Sequence, residues 1–251
     1  MTNILMHGCN GAMGRVISGL AKEMDHAQIV AGVDAFCQDS IDYPVFKTLE
    51  VCNVDVDVII DFSAAPAVDH LLDYAVQTKT PVVLCTTGLL PEQLEKVEAA
   101  SKEVAVLRSA NMSLGINTLM KILAQVSGLL AEAGFDIDIV EKHHRKKVDA
   151  PSGTAIALAE AVNEGLDEKF DYVYDRSDRR MQRPKNEIGL SAVRGGTIVG
   201  EHEVIFAGTD EVIEFKHTAY SKAVFGKGAL QAAVYLAGKP AGLYNMSHVI
   251  D

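Results

Sequence analysis

Over the first hundred positions, short apolar runs alternate with longer amphipathic stretches. Asn3–His7 reads as a strand, Ala12–Met24 as a helix and Gln28–Val33 as a second strand. Val56–Phe62 is almost continuously apolar, the pattern of a parallel strand covered on both faces. Ala67–Gln77 predicts a helix, Pro81–Cys85 a strand, Pro91–Lys102 a helix with proline near its start, and Val104–Leu107 a strand. Strands alternating with helices imply right-handed crossovers, hence an α/β fold built on a doubly wound parallel sheet.

After about Asn111 the pattern changes. Ile116–Ala133 predicts a long helix, Asp136–Glu141 a strand with alternating Ile, Ile and Val, and Thr154–Glu164 another helix. Gly189–Arg194, Thr197–Phe206 and Glu211–Lys216 then read as three β segments joined by glycine-containing turns. Consecutive strands predict an antiparallel or mixed sheet, and therefore a second domain. Lys227–Ala237 is helical again and is expected to return the tail to the first domain. The expected division is 1–111 with 217–251 for one domain and 112–216 for the other. The polar, charge-rich stretch Phe170–Lys185 is expected to be a surface loop.

Composition narrows the function classes. A chain of 251 residues, 48% hydrophobic, has ample material for a core. Its net charge of -11 argues against a general nucleic-acid partner, because phosphate backbones would be repelled. The N-terminal MTNILMHG lacks the basic region and cleavage site of a secretory signal, and no uninterrupted apolar run is long enough to span a bilayer. Cys9, Cys37, Cys52 and Cys85 have no CxxC spacing, which fits free thiols in a reducing cytoplasm. A cytoplasmic enzyme with neither a nucleic-acid nor a membrane partner is the expectation.

The first strand runs into Gly8-Cys9-Asn10-Gly11-Ala12-Met13-Gly14-Arg15, which opens the first helix. A dinucleotide site needs glycine there for the tight turn, for approach of the pyrophosphate and for helix–strand packing. The helix N-terminus then offers its N–H groups and positive dipole end to the phosphates. The spacing is GxxGxxG rather than GxGxxG, so its position between strand and helix carries much of the argument. Asp34 ends the second strand, where a carboxylate accepts hydrogen bonds from ribose hydroxyls. Ala35-Phe36-Cys37-Gln38 follow with no Arg or Lys to neutralise a 2′-phosphate, so NADH is the expected cofactor and NADPH the weaker alternative. Thr86, Thr87 and Gly88 end a buried strand, and Ser109, Ala110, Asn111 and Met112 end the next, at the sheet edge where ligands bind.

The most distinctive stretch is Glu141-Lys142-His143-His144-Arg145-Lys146-Lys147-Val148-Asp149-Ala150-Pro151-Ser152-Gly153-Thr154-Ala155. A strongly cationic cluster in so acidic a chain, followed by hydroxyls and amides at a helix start, describes a pocket for a multiply charged anion. Histidine titrates near neutrality, so one of the pair can deliver a proton. No Cys, Asp or Glu stands at ligand spacing beside the histidines, and no metal is expected.

This string resembles the signature of the 4-hydroxy-tetrahydrodipicolinate reductase (dihydrodipicolinate reductase) family, and the likeness extends over nearly the whole chain. GCNGAMGR resembles the family's dinucleotide turn, CTTGL its nicotinamide-side loop, SANMSLGIN its entry to the substrate domain, and VRGGTIVGEHEVIFAG its C-terminal sheet. The resemblance implies a Rossmann-like domain and an α+β domain that binds a small dicarboxylate substrate and builds a homotetramer. It implies His143 as general acid, Lys147 as a second catalytic residue, and His144, Lys147, Ser152, Gly153 and Thr154 as binders of the substrate carboxylates. Two other classes share the logic of the first domain: another two-domain NAD dehydrogenase of amino-acid metabolism, and a non-catalytic NADH-binding sensor. Neither requires the basic string.

Overall fold

The computed structural model describes residues 1–36, 42–177 and 179–250. It forms two compact units, 1–113 with 222–251, and 114–221.

In the first unit the elements are β1 (Thr2–His7), α1 (Ala12–Ala21), β2 (Ala27–Val33), β3 (Val45–Phe46), β4 (Val58–Asp61), α2 (Ala65–Thr78), β5 (Val82–Leu84), α3 (Pro91–Ser101) and β6 (Ala105–Arg108). Seven strands pair in parallel in the order β12-β6-β5-β4-β1-β2-β3, where β12 (Gly242–Tyr244) comes from the chain's tail. Because the order reverses direction beside β1, loops leaving β1 and β4 diverge and leave a crevice at the carboxyl ends of the strands. Val58, Ile59 and Ile60 are fully buried, as their apolar run requires. α2 opens with proline in its first turn and buries Val68, Leu71, Leu72 and Ala75, positions spaced to share one helical face. That face, with Val97 and Ala100 of α3, packs on Leu5, Ile59, Val82, Leu84 and Val106 of the sheet. α6 (Ala223–Leu236) packs beside α1, and Gly228 lies so close to the Met112 carbonyl that no side chain could stand between them.

The second unit holds α4 (Leu114–Glu132), β7 (Asp136–His143), α5 (Gly153–Glu164), β8 (Asp171–Val173), β9 (Glu187–Arg194), β10 (Gly200–Ala207) and β11 (Val212–Ala219). Its sheet is mixed, ordered β11-β10-β7-β9-β8, with β10 antiparallel to both neighbours and β9 parallel to both of its own. Leu119 and Leu123 of α4 and Leu158 and Val162 of α5 pack on Ile137, Ile139, Leu190, Val204 and Phe206. α4 reaches the length and apolarity of a membrane span, yet it carries Asn117, Lys121 and Gln125 and contributes to this core.

Several expectations need amendment. Within Phe170–Lys185, read as a loop, Asp171–Val173 forms β8 against β9. Arg176 pairs with the buried Glu187, and Arg183 donates to Asp138 and to the carbonyls of Ile137 and Glu187. Charge there reflects ion pairs to the sheet as well as solvation. The first helix stops at Ala21 rather than Met24, and the strand expected from Thr197 starts at Gly200, after a turn in which Gly196 has φ 51°. The short β3 and β12 left no periodic trace because two or three residues span too little to show one. β11 keeps register with β10 as far as Ala219, so a domain boundary at 216 would cut a strand. Cys9, Cys52 and Cys85 are free thiols; Cys37 and Gln38 lie outside the described residues.

Candidate active site

Two polar sites stand out, one in each unit. In the first, Gly8 takes φ +80° and a Cβ there would strike the Phe62 carbonyl. A Cβ on Gly14 would strike the carbonyls of Gly8 and Cys9, so the turn can be this tight only with glycine at both positions. Gly11 is the N-cap of α1, with no side-chain cap, so Ala12, Met13 and Gly14 form a first turn whose amides point out of the helix end. Asp34 accepts one N–H on each oxygen, from Asn10 (3.0 Å) and Phe36 (3.0 Å), and retains lone pairs for further donors. Asn10 Oδ1 is buried with no hydrogen-bond partner among the described residues. An uncapped helix end, a glycine cradle, a carboxylate with spare acceptors and an orphaned amide oxygen fit the diphosphate and ribose of a dinucleotide.

A buried carboxylate cluster joins the ends of the neighbouring strands. Asp61, at the end of β4, is fully buried. It takes His7 Nδ1 at 2.8 Å, Thr86 Oγ1 at 2.6 Å and Ser63 N at 3.3 Å. It thereby ties together the ends of β1, β4 and β5. Thr86 is thus committed to the cluster, while Thr87 and Gly88 (φ +75°) continue the loop. Beyond β6, Asn111 Oδ1 accepts the Ser113 N–H at 2.8 Å, and Met112 is buried; Ser109 and Ala110 lead into this turn.

The second site is set by strand parity. Ile137, Ile139, Glu141 and His143 of β7 face the helices, and their neighbours on β9 and β10 follow the same alternation. The inner face therefore begins apolar at Ile137, Ile188 and Phe206 and ends polar at Glu141, His143, Arg194 and His202. Glu141 is fully buried and is held by Arg194 through both guanidinium nitrogens, at 2.7 and 2.6 Å. It also accepts His143 Nδ1 at 2.6 Å and the Ser152 N–H at 2.9 Å. Ser152 caps α5 by accepting the Ala155 N–H, and its hydroxyl lies 3.0 Å from His202 Nε2. Gly153 and Thr154 open the helix beside it. Lys147 pairs with Asp149 at 2.9 Å, and His144 Nδ1 is buried without a partner among the described residues.

Burial would raise the Glu141 carboxyl, but hydrogen bonds from Arg194, His143 and the Ser152 amide hold it below its ordinary value. Burial lowers the His143 imidazole against the opposing pull of Glu141, with Lys147 and Arg194 adding to the fall. Burial pushes His202 down to about 4, with His143 adding to the effect.

Of the residues expected in the anion pocket, His143 and Ser152 meet in this network. Glu141, Arg194 and His202 complete it and had no assigned role. Glu141 was legible in principle, because a carboxylate two positions before His143 on a strand must share its face. Arg194 and His202 come from other strands, and only the sheet register brings them near. Among the described residues no group of three or more His, Cys, Asp or Glu is placed to hold a metal ion.

His202 yields a test. Its imidazole falls from 6.5 to about 4 on folding, so the unfolded chain binds more protons between those values, and stability declines as pH falls through that window. The full effect is about 3 kcal/mol, and His143 and His217, also lowered by burial, act in the same direction. His202→Asn is expected to lose markedly less stability than wild type between pH 6.5 and 4, measured by urea unfolding. Equal losses would mean that His202 is not held neutral.

Comparison with known proteins identifies the family. The family model described as dihydrodipicolinate reductase, N-terminus, matches residues 2–112, and that for the C-terminus matches 115–250. The 4-hydroxy-tetrahydrodipicolinate reductase of Caldanaerobacter subterraneus subsp. tengcongensis is 52% identical over 250 residues, covering 100% of this chain and 98% of the relative. That of Clostridium novyi is 50% identical over 251 residues, covering 100% and 98%. The dipicolinate-bound dihydrodipicolinate reductase from Paenisporosarcina sp. TG-14 shares the fold, with TM-score 0.77 and 23% identity over 98% of this chain and 97% of that one. With both halves matched in order and half the residues identical to full-length relatives, the chain belongs to the dihydrodipicolinate reductase family of oxidoreductases.

Proposed function

We propose that this enzyme reduces 4-hydroxy-tetrahydrodipicolinate to tetrahydrodipicolinate in the diaminopimelate route to lysine, with NADH as the preferred cofactor. The observation that carries the site assignment is the polar end of the second sheet. There an imidazole, the Lys147 ammonium and the first turn of α5 stand within one short segment of chain. That relatives bear this activity's name, and that one was solved with dipicolinate bound, supports a small dicarboxylate as substrate.

The bound nicotinamide supplies the hydride. Overall, substrate, hydride and one proton give tetrahydrodipicolinate and water, so the protein must provide the proton and hold two carboxylates. His143 Nε2 donates the proton, since Nδ1 is engaged by Glu141. The substrate's negative charges raise the imidazole and favour its protonated form in the complex. Lys147, His144 and the amides of Gly153 and Thr154 bind the carboxylates, with Lys147 exchanging Asp149 for substrate. Ser152 shapes this pocket as the cap of α5. In the first unit, the amides at Ala12, Met13 and Gly14 bind the diphosphate, and Asp34 the adenosine ribose, with Gly8, Asn10 and Gly11 shaping the turn. The loops at Thr86–Gly88 and Ser109–Met112 flank the nicotinamide half.

NADH preference rests on Asp34, whose carboxylate would face a 2′-phosphate, with Ala35 and Phe36 following it. Arg15, whose Nε donates to the Asn10 carbonyl at 3.1 Å, is the cation of this turn that NADPH would draw on. A homotetramer built through the second unit is supported by the sheet face opposite α4 and α5. That face bears the half-buried Val140 and Ile205 and the exposed Val193 and Val212.

Turnover is read as loss of reduced nicotinamide, with substrate generated by a synthase from pyruvate and aspartate semialdehyde. His143→Ala and Lys147→Ala are each expected to lower kcat about 10²- to 10⁴-fold while NADH binding is retained. No turnover by wild type that binds NADH tightly would move the assignment to another substrate or to a sensor. In the same assay kcat/KM for NADH should exceed that for NADPH by about ten-fold or more, since like charges would meet at Asp34. Equal values would remove the preference. Sedimentation equilibrium should give the mass of four chains, and Val193→Glu a smaller species; a wild-type monomer would exclude the tetramer.

A further inference from the structure

Glu141 receives a complete set of donors. His143 Nδ1 lies 2.6 Å and Arg194 Nη1 2.7 Å from Oε2, while Arg194 Nη2 lies 2.6 Å and Ser152 N 2.9 Å from Oε1. A carboxylate has about four lone-pair sites, so two donors fill each oxygen and leave no place for a proton. The group is fully buried. Arg194 Nη2 also donates to the Asp149 carbonyl at 2.6 Å, which ties the clamp to the segment carrying Lys147.

An anion with no proton can only accept, so His143 Nδ1 keeps its hydrogen whether the ring is neutral or charged. Proton exchange is then confined to Nε2. That atom lies 3.1 Å from where a Cβ on Gly200 would stand, so glycine at 200 leaves it uncrowded. The other polar groups around the ring do not compete for Nδ1. His202 meets it edge to face with centroids 5.1 Å apart, Ser152 Oγ is engaged by His202, and Lys147 is paired with Asp149. His217, opposite His202 on β11, and Lys142 and His144, on either side in the chain, are further titratable neighbours, and Lys142 pairs with Glu201.

We propose that Glu141, held by Arg194, is a positioning residue that locks His143 in its Nδ1–H tautomer and makes Nε2 the one atom through which the site passes a proton. The proposal rests on the assignment of His143 as general acid and adds to it the groups that set its working state. The order of contacts, guanidinium to carboxylate to imidazole, orients the ring and also stabilises its charged form. Loss of the carboxylate charge would therefore lower the imidazole further and expose the ring to the opposite tautomer.

The test is nitrogen NMR of 15N-histidine-labelled full-length protein, with the His143 ring assigned by its absence from His143→Gln. In wild type above the ring's pKa, Nδ1 should be protonated and Nε2 bare. In Glu141→Gln the Nε2–H tautomer should become populated, kcat should fall about ten- to a hundred-fold with NADH affinity unchanged, and the alkaline limb of the kcat profile should move to lower pH. A wild-type neutral ring protonated at Nε2 overturns the proposal. So does a Glu141→Gln enzyme with unaltered tautomer and turnover. The wild-type spectrum requires no variant and decides the matter even if Glu141→Gln does not fold. Full turnover in His143→Gln would overturn the general-acid assignment instead, and the spectrum, which needs no turnover, separates that failure from failure of the clamp.

Discussion

A carboxylate buried without water must be matched by donors, and the second unit is arranged around that requirement at Glu141. Leaving such a group with a partner removed costs about 3–5 kcal/mol, more than a third of the stability of many domains. The donors come from three places in the chain: the same strand two residues on, the end of β9, and the start of α5. Satisfying one charge thus fixes the register of β9 on β7, the entry of the chain into α5 and the orientation of His143. The segment between His144 and Pro151, which carries the cations of the pocket, is anchored at one end by Ser152 and along its length by the contact of Arg194 with the Asp149 carbonyl.

The first unit uses the same device at Asp61. A buried carboxylate at the carboxyl end of β4 draws in His7, Ser63 and Thr86, so the loops leaving three adjacent strands are held by one group. Those strands flank the point where the sheet order reverses, which is where an open α/β sheet presents its crevice. The glycine turn then needs little beyond space: Gly8 and Gly14 pass within contact of carbonyls that a Cβ would strike. In each unit a buried carboxylate near a strand's end is bonded to the segments that leave that end.

This arrangement sets a labile ion pair beside a fixed one. The Lys147–Asp149 pair is partly exposed and therefore opens at small cost. Arg194 cannot leave Glu141 at comparable cost, because one partner is fully buried and both nitrogens are engaged. Two cations in the same neighbourhood are thus held with different firmness, which residue type alone would not distinguish.

The doubly wound sheet, the second domain, the dinucleotide turn and the basic string were all legible in the linear sequence. Each is a local pattern: continuous apolar runs for buried parallel strands, period-two alternation along β7, glycines at the close approaches of one turn, and cations in adjacent positions. Arg176 and Arg183 were misread as loop charge because their partners, Glu187 and Asp138, meet them only after the sheet forms. The same holds for Arg194 and His202, which reach Glu141 and Ser152 across 53 and 50 residues of chain. Sequence by itself determined the longer elements and the residue types each carries, since backbone geometry and side-chain type are local properties. Tertiary structure alone decided which charges are paired and which imidazole nitrogen meets a carboxylate, because burial and strand register are properties of the folded chain.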